Sequence, residues 1–318
     1  AGKGTQFNFF RGGGCYTAVG ENADSNGLHW ISYNQGCESN PAQITHEIFH
    51  ALGLGHTVSR YDRDLYVTVH KDRIQAGKEH NFDQYTKEQN NNFGVPYDYG
   101  SMMHYGATSY ATVDGQIVIE PKSEYYYEVM GQRSEVTYND YRLINMLYNC
   151  SSHCPKQMAC QNGGYPSPKD CNACVCPEFF TGANCQTAKN LISLTASTPT
   201  GQTTFHQEFD QKTIGSYKRE LYGKDGPKVI RVPEGRKIRV TFSRMSIQQG
   251  RIKKGFCGLI DIEIRDTAGG ELTTLGKHFC DPSKLEGFSF VSQSNVIGYK
   301  ASTSPGFDVD IEVKYSLV

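Results

Sequence analysis

The chain has 318 residues and a formal net charge of −1, long enough for about two domains. That charge balance makes no case for nucleic acid or an anionic membrane surface, and no apolar run is long enough to span a bilayer. Seven of the 11 cysteines fall between Cys150 and Cys185, a density that points to disulfides and an oxidising, extracellular setting. The opening AGKGTQFNFF has neither a charged n-region nor an apolar core. It is therefore not a signal peptide, and the chain reads as mature or partial. Composition changes twice, and domains are expected over 1–150, 151–187 and 188–318.

In the first domain LHWISY (Leu28–Tyr33) reads as a strand ahead of a helix. Asn40 supplies the helix N-cap and Pro41 its first position. His46 and His50 are four apart and share a helix face. Ile44, Ile48 and Leu52 recur roughly opposite, which predicts a buried apolar side and a histidine side facing a cleft. Gly53 can adopt a left-handed conformation, end the helix and swing His56 back toward the pair. Three neutral imidazoles with one open position are what a catalytic zinc needs, and such a zinc lowers the pKa of its water to about 7. Glu47, about 100° round the helix from His46, is placed to take that proton and pass it to a leaving amine. The bland alternative is a surface helix with scattered histidines. The glycine and third histidine beyond H-E-x-x-H weigh against it.

Downstream, QYTKEQNNNF (84–93) is predicted to be helix giving way to loop, because asparagines favour turns. PYDYGSMMHYG (96–106) follows. SEVTYNDYRLINMLYNC predicts a second helix, with Tyr141, Ile144 and Tyr148 at i, i+3 and i+7 and Thr137 or Asn139 as cap. Residues 151–187 are too few to bury a core, so bridges must hold them. Their cysteines allow many pairings, and a zinc cluster is the less favoured use in an oxidising setting. Beyond 188, KIRVTFS, LIDIEI and FDVDIEVKYSL alternate with period two and predict a β-rich region.

The long histidine motif followed by Met103 and Tyr105 resembles the zinc motif and Met-turn of metzincins. The tyrosine two after that methionine, together with HTVSRYDRDLYV, is similar to the astacin family over about Phe9–Cys150. CQNGGYPSPKDCNACVCPEFFTGANC looks like an EGF-like module, and 188–318 resembles a CUB domain, an order similar to that of secreted nematode astacins. The resemblance implies an α+β metzincin catalytic domain whose N-terminal part is truncated. A small disulfide-rich EGF-like module and an all-β CUB-like sandwich would follow it. It implies His46, His50 and His56 as ligands of one zinc, Glu47 as general base and Met103 as a hydrophobic floor. Tyr105 would swing to stabilise the oxyanion. Arg133, in VMGQRSE, would line the pocket for the residue after the cut and prefer a carboxylate there.

The implied bridges are Cys15–Cys37, Cys154–Cys171, Cys160–Cys174, Cys176–Cys185 and Cys257–Cys280. Cys150 is left over, with its partner expected ahead of Ala1, or, as the less favoured alternative, on another chain. Thr57 stands where the family carries the glutamate that receives the new N-terminus. Aligning on Glu263-Ile264-Arg265-Asp266 puts Ile260 where calcium-binding CUB domains carry an acidic residue, with Asp261 one off register, so calcium is not expected.

Two readings follow. One is a secreted zinc endopeptidase acting on extracellular proteins such as matrix or cuticle components. The other is a catalytically silent extracellular binding protein that acts through its EGF-like and CUB-like modules. Intact His46, Glu47, His50 and His56 favour the first.

Overall fold

The computed structural model describes residues 5–20, 23–207, 226–248, 260–267, 271–279, 286–303 and 308–318. The chain divides into two compact units, Ala1–Cys150 and Ser151–Val318. The first opens with strands β1 (Gln6–Arg11), β2 (Tyr16–Thr17) and β3 (Leu28–Tyr33), in the order β1-β3-β2. β1 runs parallel to β3 and β2 antiparallel. Period two turns His29 and Ile31 inward and leaves Trp30 outside.

Helix α1 (Gln35–Glu38) is capped by Asn34, and its buried Cys37 bridges to Cys15. Helix α2 (Pro41–Ala51) starts at Asn40, whose side chain accepts from the Ala42 N–H. Strands β4 (Val67–Val69) and β5 (Ile119–Pro121) pair antiparallel over a core that includes Val58, Phe82, Tyr97, Val118 and Met130. Helix α3 (Tyr138–Leu147) closes the unit.

Three expectations need correction. Residues 84–93 form a turn and loop without a helix. Their polar side chains bond their own backbone: Gln89 Oε1 accepts from the Thr86 N–H and Asn91 Oδ1 from the Phe93 N–H, in place of helix bonds. On α2, Ile44, Ile48 and Leu52 are only half-buried. The helix instead buries the side carrying His46, Glu47, Phe49 and His50, because Phe49 packs on Met102 and Met103. On α3, Tyr141 and Tyr148 are exposed, and Asn139, Asp140 and Arg142 are buried. Of the two candidate caps, Thr137 takes the position: it accepts from the Asp140 N–H, while Asp140 accepts from the Thr137 N–H.

The second unit begins with two short hairpins. β6 (Tyr165–Pro166) pairs with β7 (Cys174–Val175), and β8 (Phe180–Thr181) with β9 (Thr187–Ala188). Bridges Cys154–Cys171, Cys160–Cys174 and Cys176–Cys185 staple this stretch. The remaining strands are β10 (Leu191–Ser193), β11 (Thr200–Gln207), β12 (Lys228–Arg231) and β13 (Ile238–Gln248). They continue with β14 (Ile260–Arg265), β15 (Lys277–Phe279), β16 (Ser289–Val291), β17 (Val296–Thr303) and β18 (Asp308–Leu317). They form a five-stranded sheet, β10-β12-β17-β14-β15, and a four-stranded one, β11-β18-β13-β16. KIRVTFS buries Ile238, Val240 and Phe242 as its alternation requires. The expected Cys257–Cys280 pair, and the side chains of Ile260 and Asp261, lie outside the described residues.

Strand β14 departs from simple alternation, because Glu263 and Arg265 are as buried as Ile262 and Ile264. Arg265 reaches Glu263 at 2.6 Å and Glu178 at 2.8 Å, and Lys300 reaches Glu178 at 2.9 Å and Glu263 at 3.0 Å. Beside this cluster Phe179 and Phe180 pack with Val229, Leu272 and Val296. The hairpin stretch is thus fixed to the five-stranded sheet by ion pairs and apolar packing together.

Candidate metal centre

Helix α2 sets His46 and His50 one turn apart, with ring centroids 4.5 Å from each other. Gly53, at φ +99°, turns the chain after the helix, and its N–H donates to the His50 carbonyl at 2.8 Å. His56 then comes back with its ring 4.4 Å from that of His50, and the two Nε2 atoms are 3.1 Å apart. One nitrogen from each of the three histidines falls within 4.8 Å of the others.

Those nitrogens suit a cation. His46 Nδ1 lies 2.8 Å from the Met102 carbonyl oxygen and His50 Nδ1 2.7 Å from that of Leu54. A carbonyl only accepts, so each Nδ1 carries the proton and each Nε2 presents a lone pair inward. Burial, and then the neighbouring His50 and Arg133, pushes His46 down to about 3. Burial and the other histidines push His56 down to about 2. The rings are therefore neutral at ordinary pH, as ligands must be.

Glu47 is buried beside them. Burial raises its carboxyl to about 7 against the opposing pull of Arg133 and a backbone hydrogen bond from Thr17. Met103 is buried in a cluster with Phe49 and Met102. Tyr105 lies beside His56, ring centroids 4.2 Å apart and planes tilted by 39°, and its hydroxyl meets His56 Nδ1 at 3.1 Å. Its hydroxyl thus sits at the nitrogen of His56 opposite the one that faces His50.

Arg133 is half-buried, and one guanidinium nitrogen donates to the His104 and Gln132 carbonyls. Burial lowers its guanidinium, and the nearby Glu47, Tyr105 and Asp140 oppose that shift. Its loop reaches the site because Gly131, at φ +77°, runs against Gly106. A Cβ on Gly131 would stand 2.4 Å from the Gly106 Cα.

Two supporting residues have little signature in the sequence pattern. Asp140 of α3 accepts from Ser101 Oγ at 2.6 Å and from the Met102 N–H at 2.9 Å. The Met102 carbonyl in turn orients His46, so a buried carboxylate on one helix sets a ligand on another. His104 is fully buried between the Tyr97 hydroxyl at 2.8 Å and the Tyr105 carbonyl at 2.7 Å. Only the Thr-x-x-Asp capping pattern hints at Asp140. Thr57 is buried and donates its N–H to the Met103 carbonyl at 3.0 Å. Cys150 is the one free cysteine among the described residues.

Two histidines one helical turn apart, a glycine turn and a third histidine together form a site that could hold a zinc ion, an arrangement similar to the three-histidine centres of the metalloproteinase class. Residues 1–149 match the model of the Astacin peptidase family, and through them the chain belongs to the astacin family. It is 32% identical, over 92% of its length, to zinc metalloproteinase nas-30 of Caenorhabditis elegans, covering 38% of that protein. It is 42% identical, over 49% of its length, to zinc metalloproteinase dpy-31 of the same species, covering 27% of it. The chain thus spans well under half the length of these curated relatives. Among solved structures it is similar to High choriolytic enzyme 1, a hatching enzyme zinc-protease from the medaka fish Oryzias latipes. The identity is 32%, with 47% of this chain and 71% of that one covered and a TM-score of 0.42. Among the described residues no helix is long and apolar enough to cross a membrane.

Proposed function

We propose that this chain is a secreted zinc endopeptidase that cuts extracellular proteins. The observation that carries the proposal is the convergence of three neutral imidazoles, two buried and one half-buried, with a raised carboxyl beside them. His46, His50 and His56 would hold zinc, which would supply Lewis acidity toward the scissile carbonyl and toward water. Glu47 takes the proton as the water oxygen bonds to the carbonyl carbon. When the C–N bond breaks, its carboxyl returns that proton to the leaving amine. Tyr105 turns its hydroxyl from His56 Nδ1 to donate to the developing oxyanion. Arg133 faces the side chain that follows the cut, and its unspent donors fit a carboxylate.

Secretion is supported by four disulfides. Matrix or cuticle proteins are the substrates that the resemblance to secreted nematode astacins implies, with residues 151–187 as an EGF-like module and 188–318 as a CUB-like one that place the enzyme on them. The purified chain should hold about one zinc. It should lose peptide cleavage to a strong chelator and regain it with zinc. Cleavage by the metal-free protein would end this reading, and zinc without cleavage would favour a silent binding protein. A peptide-library profile should show Asp or Glu after the cut, a preference that Arg133→Ala removes at a loss of about 1.5–3 kcal/mol.

A further inference from the structure

Helix α3 closes at Asn149, which has φ +46°. The Asn149 N–H donates to the Met146 carbonyl at 3.2 Å, and the Cys150 N–H to the Asn145 carbonyl at 3.0 Å. Two such bonds around a left-handed residue end a helix, and glycine or asparagine suits that position. The closure uses only the backbone of Asn149. Its side chain is exposed, and its amide has no hydrogen-bond partner among the described residues. Glycine would end the helix as well, so the turn does not account for the amide. Asn149-Cys150-Ser151 is also the one N-x-S/T sequence in the chain. In a secreted protein that pattern accepts an N-linked oligosaccharide.

Beside the amide lies bare apolar surface. Tyr141 and Tyr148 are 50% and 54% exposed and Leu147 43%, three large side chains within the last turns of one helix. Tyr141 and Tyr148 are seven apart and share a helix face. The Tyr148 hydroxyl donates to the Leu52 carbonyl at 3.1 Å, and the Tyr141 ring meets Phe49 edge-on at 6.1 Å. Both rings are thus held in place with about half their surface in water. Adjoining apolar groups of this kind mark a surface that something covers.

We propose that Asn149 carries an N-linked oligosaccharide whose first sugars lie over Tyr148 and Tyr141. The donor is a lipid pyrophosphate-linked oligosaccharide, and transfer precedes folding. Asn149 Nδ2 bonds to the anomeric carbon, the bond from that carbon to the pyrophosphate oxygen breaks, the lipid pyrophosphate leaves and the amide gives up one proton. Folding then has only to keep the modified nitrogen outside, as the turn after α3 does. The C–H groups on one side of a sugar ring pack on aromatic faces. Its hydroxyls meanwhile stay in water. The inference rests on the secreted reading above.

The test uses the full chain recovered from the medium of a eukaryotic secretory host. Enzymatic release of the glycan in heavy-oxygen water should leave a labelled aspartate at position 149, read by peptide mass spectrometry. Ser151→Thr should keep that label, and Ser151→Ala should abolish it with Asn149 still present. Asn149→Gly keeps the helix end and removes the sugars, so tetranitromethane should nitrate Tyr148 faster in it than in the unsubstituted chain. No label at position 149 in a chain whose bridges Cys154–Cys171, Cys160–Cys174 and Cys176–Cys185 have formed overturns the site alone. Equal nitration overturns the placing of the sugars on the tyrosines. A chain that never reaches the medium and forms no bridges overturns the secreted reading and this inference with it.

Discussion

Burial outweighs Arg133 and the Thr17 hydrogen bond at Glu47, and that sets its chemistry. A carboxyl held at about 7 can both accept and release a proton near neutral pH. Glu47→Gln keeps the side chain's volume and leaves the three histidines intact. Its kcat should fall by about 10²–10⁴-fold with zinc content unchanged. Steady-state kinetics with metal analysis checks this, and an unaltered kcat would remove Glu47 from the reaction. His46, Glu47, His50, Gly53 and His56 are legible in the sequence because their spacing has meaning on a helix that ends at a glycine. Asp140 and His104 are not. Each is a lone polar residue buried by partners distant in sequence or folded around it, and no local period announces that.

Among the elements, α3 acts as a clamp on the turn that carries Met103. Its Asp140 is buried, which raises its carboxyl, while bonds from Ser101, Met102 and Thr137 favour the ionised form. Asp140→Asn replaces an acceptor by a donor facing the Met102 N–H. The Met102 carbonyl should then orient His46 less well. Zinc affinity should fall by about 10–100-fold, the range for residues that orient metal ligands. Chelator competition measures it, and an affinity equal to that of the unsubstituted chain would separate α3 from the metal centre. Periodicity reveals that α2 and α3 are helices, and Asn40-Pro41 reveals where the first begins. It misassigns their buried sides, because Phe49 and Asp140 find partners in the Met103 turn that lies far along the chain. In 84–93 the composition suits a helix in part, but local side-chain bonds win.

For the molecule as a whole, the two units should fail at different acidities. In the metal-free chain His46, His50, His56 and His104 all sit below their usual 6.5. The unfolded chain therefore binds protons that the folded one refuses, and stability falls as pH drops below about 6.5. Glu47 and Asp140 are raised and act the other way, two carboxyls against four imidazoles. In the second unit burial alone would raise Glu263, but Arg265, Lys300 and His278 hold it well below the usual 4.5. Its contribution is full above 4.5 and fades only as pH falls through its lower folded value. Thermal melts from pH 7 to 4 should show an early loss in residues 1–150 and a later one in 151–318. Glu263→Gln should cost the second unit about 3–5 kcal/mol, because Arg265 and Lys300 lose a buried partner. A second transition that moves with the first, or ignores Glu263→Gln, contradicts this ordering. The β strands from 188 onward are readable from alternation. The burial of Glu263 and Arg265 is not, since it depends on Glu178 and the hairpins that cover them.

The joint around Glu178 also changes what a break in the chain would mean. Lys189 and Asn190, between the hairpins and the first strand of the five-stranded sheet, are half-buried and exposed, which puts them within reach of trypsin. Phe179 and Phe180 would remain seated among Val229, Leu272 and Val296 after a cut there, and Glu178 would remain on Arg265 and Lys300. The nicked protein should elute as one species under native conditions and split into two bands only in denaturant. At that point the covalent backbone is a spare tether, and the fragments are kept together by side chains alone.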